Sequence, residues 1–323
     1  MPPAQRSDIS NGIWLCATHG TLIDQDTSAY TADAIRAMKS AHEHQVRMEI
    51  QGASSIAPKF HPDLIAIGPD VVVTGKLIGV NGAEWQLRVQ HFVIGDIGTL
   101  IRFGEQLDQT SPDDLYVLAN TLGDGRQLAA APALKKTADG HVVTCQVCKS
   151  FPRTSAYSLP RDFALNDDHD TSSATGTFST VEGLDALPQK IKTCLSHQRG
   201  ESPFHPAFSA RLVDYFDLFR DSFWLARLVR LEVIRHACMP YSHPVLKQRY
   251  TPLMSVLRVV GIEMLNTSTK KNWVPFHFLL KVDGVGRWER DISILISPRD
   301  EQLEAYLSGI ATWLPTQDKN HGA

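Results

Sequence analysis

The sharpest pattern in the chain is an alternation of apolar and polar positions close to its C-terminal end. Phe276, Phe278, Leu280 and Val282 recur every second residue, and so do Ile292, Ile294 and Ile296. A period of two is that of a half-buried strand, so the pattern predicts two strands, with Asp283-Gly284 as the turn between them. The apolar run "LMSVLRVVGIEML" ahead of them reads as a third strand. A second β-rich stretch lies between Asp70 and Asp96, where two runs flank Asn81-Gly82. That dipeptide tolerates positive φ and favours a tight hairpin.

Elsewhere the spacing is helical. Leu184, Leu187, Ile191 and Leu195 share one helical face, with Pro188 tolerated in a first turn. Phe208, Leu212, Tyr215, Phe216 and Phe219 form a second stripe, and Trp224, Leu228, Leu231 and Ile234 a third that Pro240 ends. "IGTLIRFGEQL" predicts a helix, and "YVLAN" and "HVVTCQVCKS" predict short strands. "YTADAIRAMKSAHEHQ" predicts a helix capped by Thr31, with Asp33 near its positive end and Ile35, Met38 and His42 on one side. A last helix is expected over "EQLEAYLSGIATWL", where Leu303, Tyr306, Leu307 and Ile310 share a face directed back at the sheet.

Two breaks divide these elements. "QGASSIAPK" interrupts the first helix pattern, and the polar "NDDHDTSSATGT" reads as a surface loop. The expected organisation is α+β: an N-terminal segment over 1–50, a small α+β unit over 60–160, a helices-then-antiparallel-sheet domain over 161–314, and a disordered tail over 315–323.

Composition narrows the function classes. With 323 residues, 43% hydrophobic and 21% charged, the chain is long enough for a sizeable core. A formal net charge of -3 supplies no global basic field, so nucleic-acid binding would need a local patch. No apolar run approaches the roughly 18–20 residues that span a bilayer, and no signal-peptide layout opens the chain, so a cytoplasmic location without membrane contact is expected. Five cysteines are too few and too odd for a disulfide framework; thiols or metal ligands fit them better.

Cys16 and His19 have the spacing of a zinc knuckle, in which one tight turn supplies two corners of a tetrahedron. Cys145-x-x-Cys148 would complete a Cys3His set if the middle unit folded back. Against this, "HVVTCQVCKS" reads as a strand, where residues three apart point to opposite faces, and that favours a reading without metal. Asn166 to Asp170 gathers carboxylates but lacks the spaced ligands and following glutamate of a calcium loop, so it reads as a solvated linker.

The stretch "RSDISNGIWLCATHGTLIDQDTSAYTADAIRAMKSAHE" resembles the C-terminal half of the HNH-endonuclease-like treble clef found in bacterial defence-associated proteins. The resemblance implies that Asn11 is the motif asparagine and that Cys16 and His19 are the second structural-zinc pair. Gly20 and Asp24 then stand where an active enzyme presents helix-borne metal ligands; Asp24 retains a ligating group and Gly20 does not. The first cysteine pair and the strand carrying the general-base histidine are missing, and hydrolysis by this chemistry needs that base and a divalent ion. The expectation is a shortened module, from a late start codon or a true truncation, without nuclease activity of its own.

"FSTVEGLDALPQKIKTCLSHQRGESPFHPAFSARLVDYF" is similar to the small baseplate-wedge family of contractile phage tails and type VI secretion machines. Val181, Gly183, Gln189, Gly200, Glu201, Pro206 and Phe208 carry the resemblance, while Ser209 stands where that family prefers glycine. It implies an α+β domain used in protein assembly, with no catalytic residue to carry over.

The leading expectation is therefore a non-catalytic assembly or interaction protein, of phage-defence or phage-derived type, that binds a protein partner or a second copy of itself. The alternatives are a metal-dependent HNH-type nuclease completed by a missing segment or partner, with Asn11 and Asp24 in its site, and a zinc module that binds nucleic acid through Cys16, His19 and, if the middle unit folds back, Cys145 and Cys148.

Overall fold

The computed structural model of the protein describes residues 12–13, 23, 31–33, 35–40, 43, 63–138, 140–166, 170–171, 177–201, 209–220, 222–242, 249–265 and 271–297. The chain divides into two compact units, Met1–His61 and Pro62–Ala323. In the first, the described residues 32–33, 35–40 and 43 are helical. Ile35 N–H donates to the Thr31 carbonyl at 3.0 Å, and Arg36 and Lys39 pair with Asp33 and Glu43 at 3.1 and 3.6 Å. Met38 is exposed.

The second unit is α+β, with helices and antiparallel sheets. Its first seven strands are β1 (Asp63–Ile67), β2 (Val72–Asn81), β3 (Glu84–Ile94), β4 (Tyr116–Ala119), β5 (Asp124–Gln127), β6 (Ala133–Thr137) and β7 (Gly140–Gln146). They form one sheet in the order β5-β4-β1-β2-β3-β7-β6. Just past β5 and β7, Leu128 bridges Val147, Ala129 N–H donates to the Gln146 carbonyl and Cys148 N–H to the Gln127 carbonyl, both at 2.8 Å. These bonds close β5 onto β7 and make a six-stranded barrel, with β6 as an outlying edge. Closure leaves the barrel strands without the free edge that invites pairing with another chain.

The β2–β3 hairpin forms where expected, but its register pairs Asn81 with Glu84, so Gly82-Ala83 is the two-residue loop. Gly82 holds φ +47°, which puts the residue best able to adopt it one place later than the Asn-Gly reading assumed. The helix α1 (Ile97–Glu105) follows β3. Asp96 caps it, accepting from the Thr99 N–H at 2.6 Å and from the Thr99 hydroxyl at 2.9 Å. Its Leu100 joins Ile65, Ile67, Val73, Trp85, Leu87, Val117 and Val143 in the barrel interior.

The opposite faces of β1 and β4 feed a second core. Leu64, Ala66, Tyr116 and Leu118 alternate with the inward residues and meet three helices: α2 (Ala186–Ser196), α3 (Leu212–Phe219) and α4 (Trp224–Cys238). This is why β1 and β4 read as unbroken apolar runs rather than as alternating ones. The stripe expected on α4 is only part of what it buries, since Val229, Val233 and Cys238 are buried too. Two short antiparallel ribbons flank the helices: β8 (Asp162–Phe163) with β9 (Thr180–Val181) before α2, and β10 (Tyr241–Ser242) with β11 (Arg249–Tyr250) after α4. α4 packs against β1, β4 and β5, and also against β12 (Val256–Met264).

β12 begins a three-stranded antiparallel sheet, completed by β13 (Trp273–Val282) and β14 (Gly286–Leu295) in that order. Its inward Phe276, Phe278, Leu280, Ile292 and Ile294 complete the second core, as their period of two predicted. Val259 N–H donates to the Gly123 carbonyl at 2.9 Å, tying this sheet to the barrel. A Cβ at Gly123, where φ is +59°, would run into the Val259 carbonyl, so this approach of two backbones requires glycine. The division expected at 160/161 thus falls inside one contact unit, because the residues on either side share this core. The final helix expected over residues 301–314 lies outside the described residues. Among the described residues no helix is long and apolar enough to cross a membrane.

Candidate functional site

A groove of about 640 Å³ lies beside β14. One wall is α2, with Asp185 just before it and Gln189 and Lys192 along it. The second is the β8–β9 ribbon, through Leu165 and Val181. The third is the sheet, through Trp273 and four consecutive residues of β14, Arg290 to Ser293. A volume of this size lies within the range of about 300–1,000 Å³ typical of ligand sites.

Local chemistry fixes the walls. The Gln189 amide donates to the Phe163 carbonyl at 2.7 Å and accepts from the Leu165 N–H at 2.8 Å, so one side chain fastens the ribbon to the helix in both directions. Lys190 adds an ion pair to Asp162 at 3.9 Å. The ammonium of Lys192 lies 4.4 Å from the centre of the Trp273 ring, a cation–π contact that holds helix and sheet together at the floor. Asp291 is bonded to His277 Nδ1 at 2.6 Å. Arg290 and Asp185 have no hydrogen-bond or ion-pair partner among the described residues.

β14 pairs with β13 on one side only. Ile296 N–H donates to the Asn272 carbonyl, whereas Leu295 N–H points the other way, to the Ser196 hydroxyl at 3.1 Å. By the alternation of an antiparallel ladder, even-numbered residues of β14 direct their backbone groups at β13, and Arg287, Glu289, Asp291 and Ser293 direct theirs away. The groove therefore contains a short length of open strand edge. Its lining holds carboxylates, an ammonium, a guanidinium, side-chain amides and a hydroxyl, with no cysteine or histidine among the described lining residues.

A second polar cluster lies inside the helix layer. Arg235 donates to Glu232 at 2.9 Å and to the Ser209 carbonyl at 2.6 Å, and the Tyr215 hydroxyl donates to Glu232 at 3.2 Å. His236 approaches Arg235 at 3.3 Å, and burial, then the Arg235 charge, push its pKa well below the ordinary 6.5. The recess beside this cluster has a volume of about 10 Å³, room for roughly one water. The cluster is an internal network and cannot admit a ligand.

Asn11, Cys16, His19, Gly20 and Asp24 lie outside the described residues. Cys145 sits in β7 opposite Trp85, wholly buried, and burial pushes its thiol up to about 12. Cys148 is exposed just past the strand. Among the described residues no three His, Cys, Asp or Glu side chains are grouped to hold a metal ion. Of the residues singled out in the sequence, Asn166, Val181, Pro188 and Gln189 line the groove, whereas Lys192, Trp273 and Arg290 carried no sequence signal.

No protein-family model matches the chain, and neither the curated proteins nor the solved structures searched contain a match.

Proposed function

We propose that the protein is a non-catalytic assembly module that receives a protein partner in the groove between α2, the β8–β9 ribbon and β14. The observation that carries this reading is the stretch of strand edge inside the groove: unpaired backbone donors and acceptors are a template for another chain. Most sheet edges are blunted by charge, and Arg287 and Glu289 do this where β14 leaves the groove. Within the groove Asp291 is still charged and exposed, and Ser293 is the half-buried, uncharged position of the edge. The reading belongs to the class of function that the resemblance over residues 178–216 implies.

A photocrosslinking amino acid placed at Ser293 in cells of the source organism tests it. A discrete adduct with a protein is expected from Ser293, and none from the same group placed at Lys135 on the outlying strand β6. Equal labelling at both positions, or none at Ser293, would overturn the proposal.

A further inference from the structure

We infer that the partner enters the groove as an extended strand, hydrogen-bonded to the edge of β14 and carrying a carboxylate opposite Arg290. This rests on the assembly reading above and specifies the shape and chemistry of what the groove takes.

The shape follows from the backbone. Four consecutive β14 residues, Arg290 to Ser293, line the groove and span about 10 Å of strand. The N–H groups of Asp291 and Ser293 face away from β13 and have no partner among the described residues. They are two residues, about 7 Å, apart, the repeat at which an added strand presents its own carbonyls. A helix cannot match donors at that spacing, because its own backbone groups are bonded internally. At the far end the row is closed, because Leu295 N–H is taken by the Ser196 hydroxyl. The added strand therefore ends next to Ser293. The second wall, made by α2 and the ribbon, stands where a further strand of a second sheet would have to lie, which favours one isolated segment over the β14 edge of a second copy.

The chemistry follows from the side chains. Charged groups in the lining balance, with Lys192 and Arg290 against Asp185 and Asp291. Lys192 is engaged with Trp273 and Asp291 with His277, whereas Arg290 on β14 and Asp185 ahead of α2 have no partner among the described residues, and of these two only Arg290 lies on the strand to be paired. On an antiparallel pair the residue directly opposite shares the same face, so a partner carboxylate at that position meets the Arg290 guanidinium. With a balanced lining, main-chain bonds rather than long-range charge hold the segment, and its affinity should vary little with salt.

The test uses the full chain as bait for a display library of random dodecapeptides, counter-selected against an Asp185→Trp variant, which crowds the groove from an exposed position that fastens neither wall. Selected peptides are resynthesised with single N-methyl groups scanned along them. The expected result is loss of binding at every second position, since N-methylation removes one donor at a time and only alternate residues face β14. Ser293→Pro should weaken binding about three- to tenfold, the worth of a single hydrogen bond. Proline is tolerated there in folding because that N–H is outside the ladder. Arg290→Glu should weaken acidic peptides about threefold and favour the same peptides with lysine at that position. N-methylation acts on the peptide, so the result stands even if a protein variant folds poorly. Selected peptides that bind with no two-residue period, or that ignore Ser293→Pro, overturn the strand inference and leave the groove as a protein site. A library with no peptide distinguishing wild type from Asp185→Trp overturns both.

Discussion

β1 and β4 each serve two cores, and the cores are chemically unlike. One face of these strands, with Ile65, Ile67, Val117 and Ala119, closes a barrel interior built from hydrocarbon side chains, the Trp85 indole and one neutral thiol. The other face, with Leu64, Ala66, Tyr116 and Leu118, meets helices among which Glu232, Arg235 and His236 are all buried. The barrel needs no polar specification, because its closed ladder already fixes each strand's register. Helices packed on that face have no such ladder, and here Arg235 ties α4 to the Ser209 carbonyl ahead of α3 while Tyr215 on α3 bonds Glu232 on α4, so the buried polar groups join one helix to the next. Buried ion pairs seldom add net stability relative to well-packed apolar residues, so the difference is one of orientation rather than strength.

The largest effect that separates the two cores should come from Arg235→Met. It leaves Glu232 buried with only the Tyr215 hydroxyl and should cost about 3–5 kcal/mol in chemical denaturation. A Glu232→Met/Arg235→Met double variant should recover most of that loss. A double variant as unstable as the single would show that the pair is stabilising in itself. In the barrel, Leu87→Ala should cost about 3 kcal/mol through the cavity it leaves, with the same loss at pH 5 and pH 8. A loss that changes with pH would couple the barrel to ionisation and blur the contrast.

A smaller effect is the pH dependence of the helix layer. His236 is held neutral when folded and binds a proton near 6.5 when unfolded, so its contribution is fully present above pH 6.5. It is lost as pH falls from there toward the lower folded value, by at most about 1.4 kcal/mol per pH unit for one proton. His236→Gln should flatten the unfolding midpoint between pH 6.5 and 5, and an unchanged slope would place the titration elsewhere. Smallest is Asp96→Ala at the cap of α1, expected to cost about 1 kcal/mol without altering the response to pH 5–6.5 seen in the wild type.

The sequence showed the strands whose faces differ. Phe276, Phe278, Leu280 and Val282 alternate because one side of β13 is buried and the other open. It also showed α2, from Leu187, Ile191 and Leu195, and the helix after β3. What depends on distant partners was hidden. The Leu128–Val147 bridge that closes the barrel joins segments whose composition says nothing of each other, and α4 was read as one stripe although it is buried on several sides. The stretch from Asn166 to Thr177 resembled a domain boundary because it is polar, yet the shared core continues past it. The groove was the least legible part. Its lining comes from residues 164–166, 181–192, 273 and 290–293, and only the fold brings these segments around one recess. Asn11, Cys16, His19 and Asp24, the residues with the plainest motif, lie outside the described part.

The closure of β5 onto β7 also sets an order of events in synthesis. Every backbone partner within the barrel lies between residues 63 and 148, so the barrel can be completed while α2, α3 and α4 are still on the ribosome. Leu64, Ala66, Tyr116 and Leu118 then form an apolar row on a finished surface, waiting for about the next hundred residues at roughly 5–20 residues per second. For those seconds the nascent chain presents the strip on which the mature helices will lie, and that strip is where a chaperone would hold it.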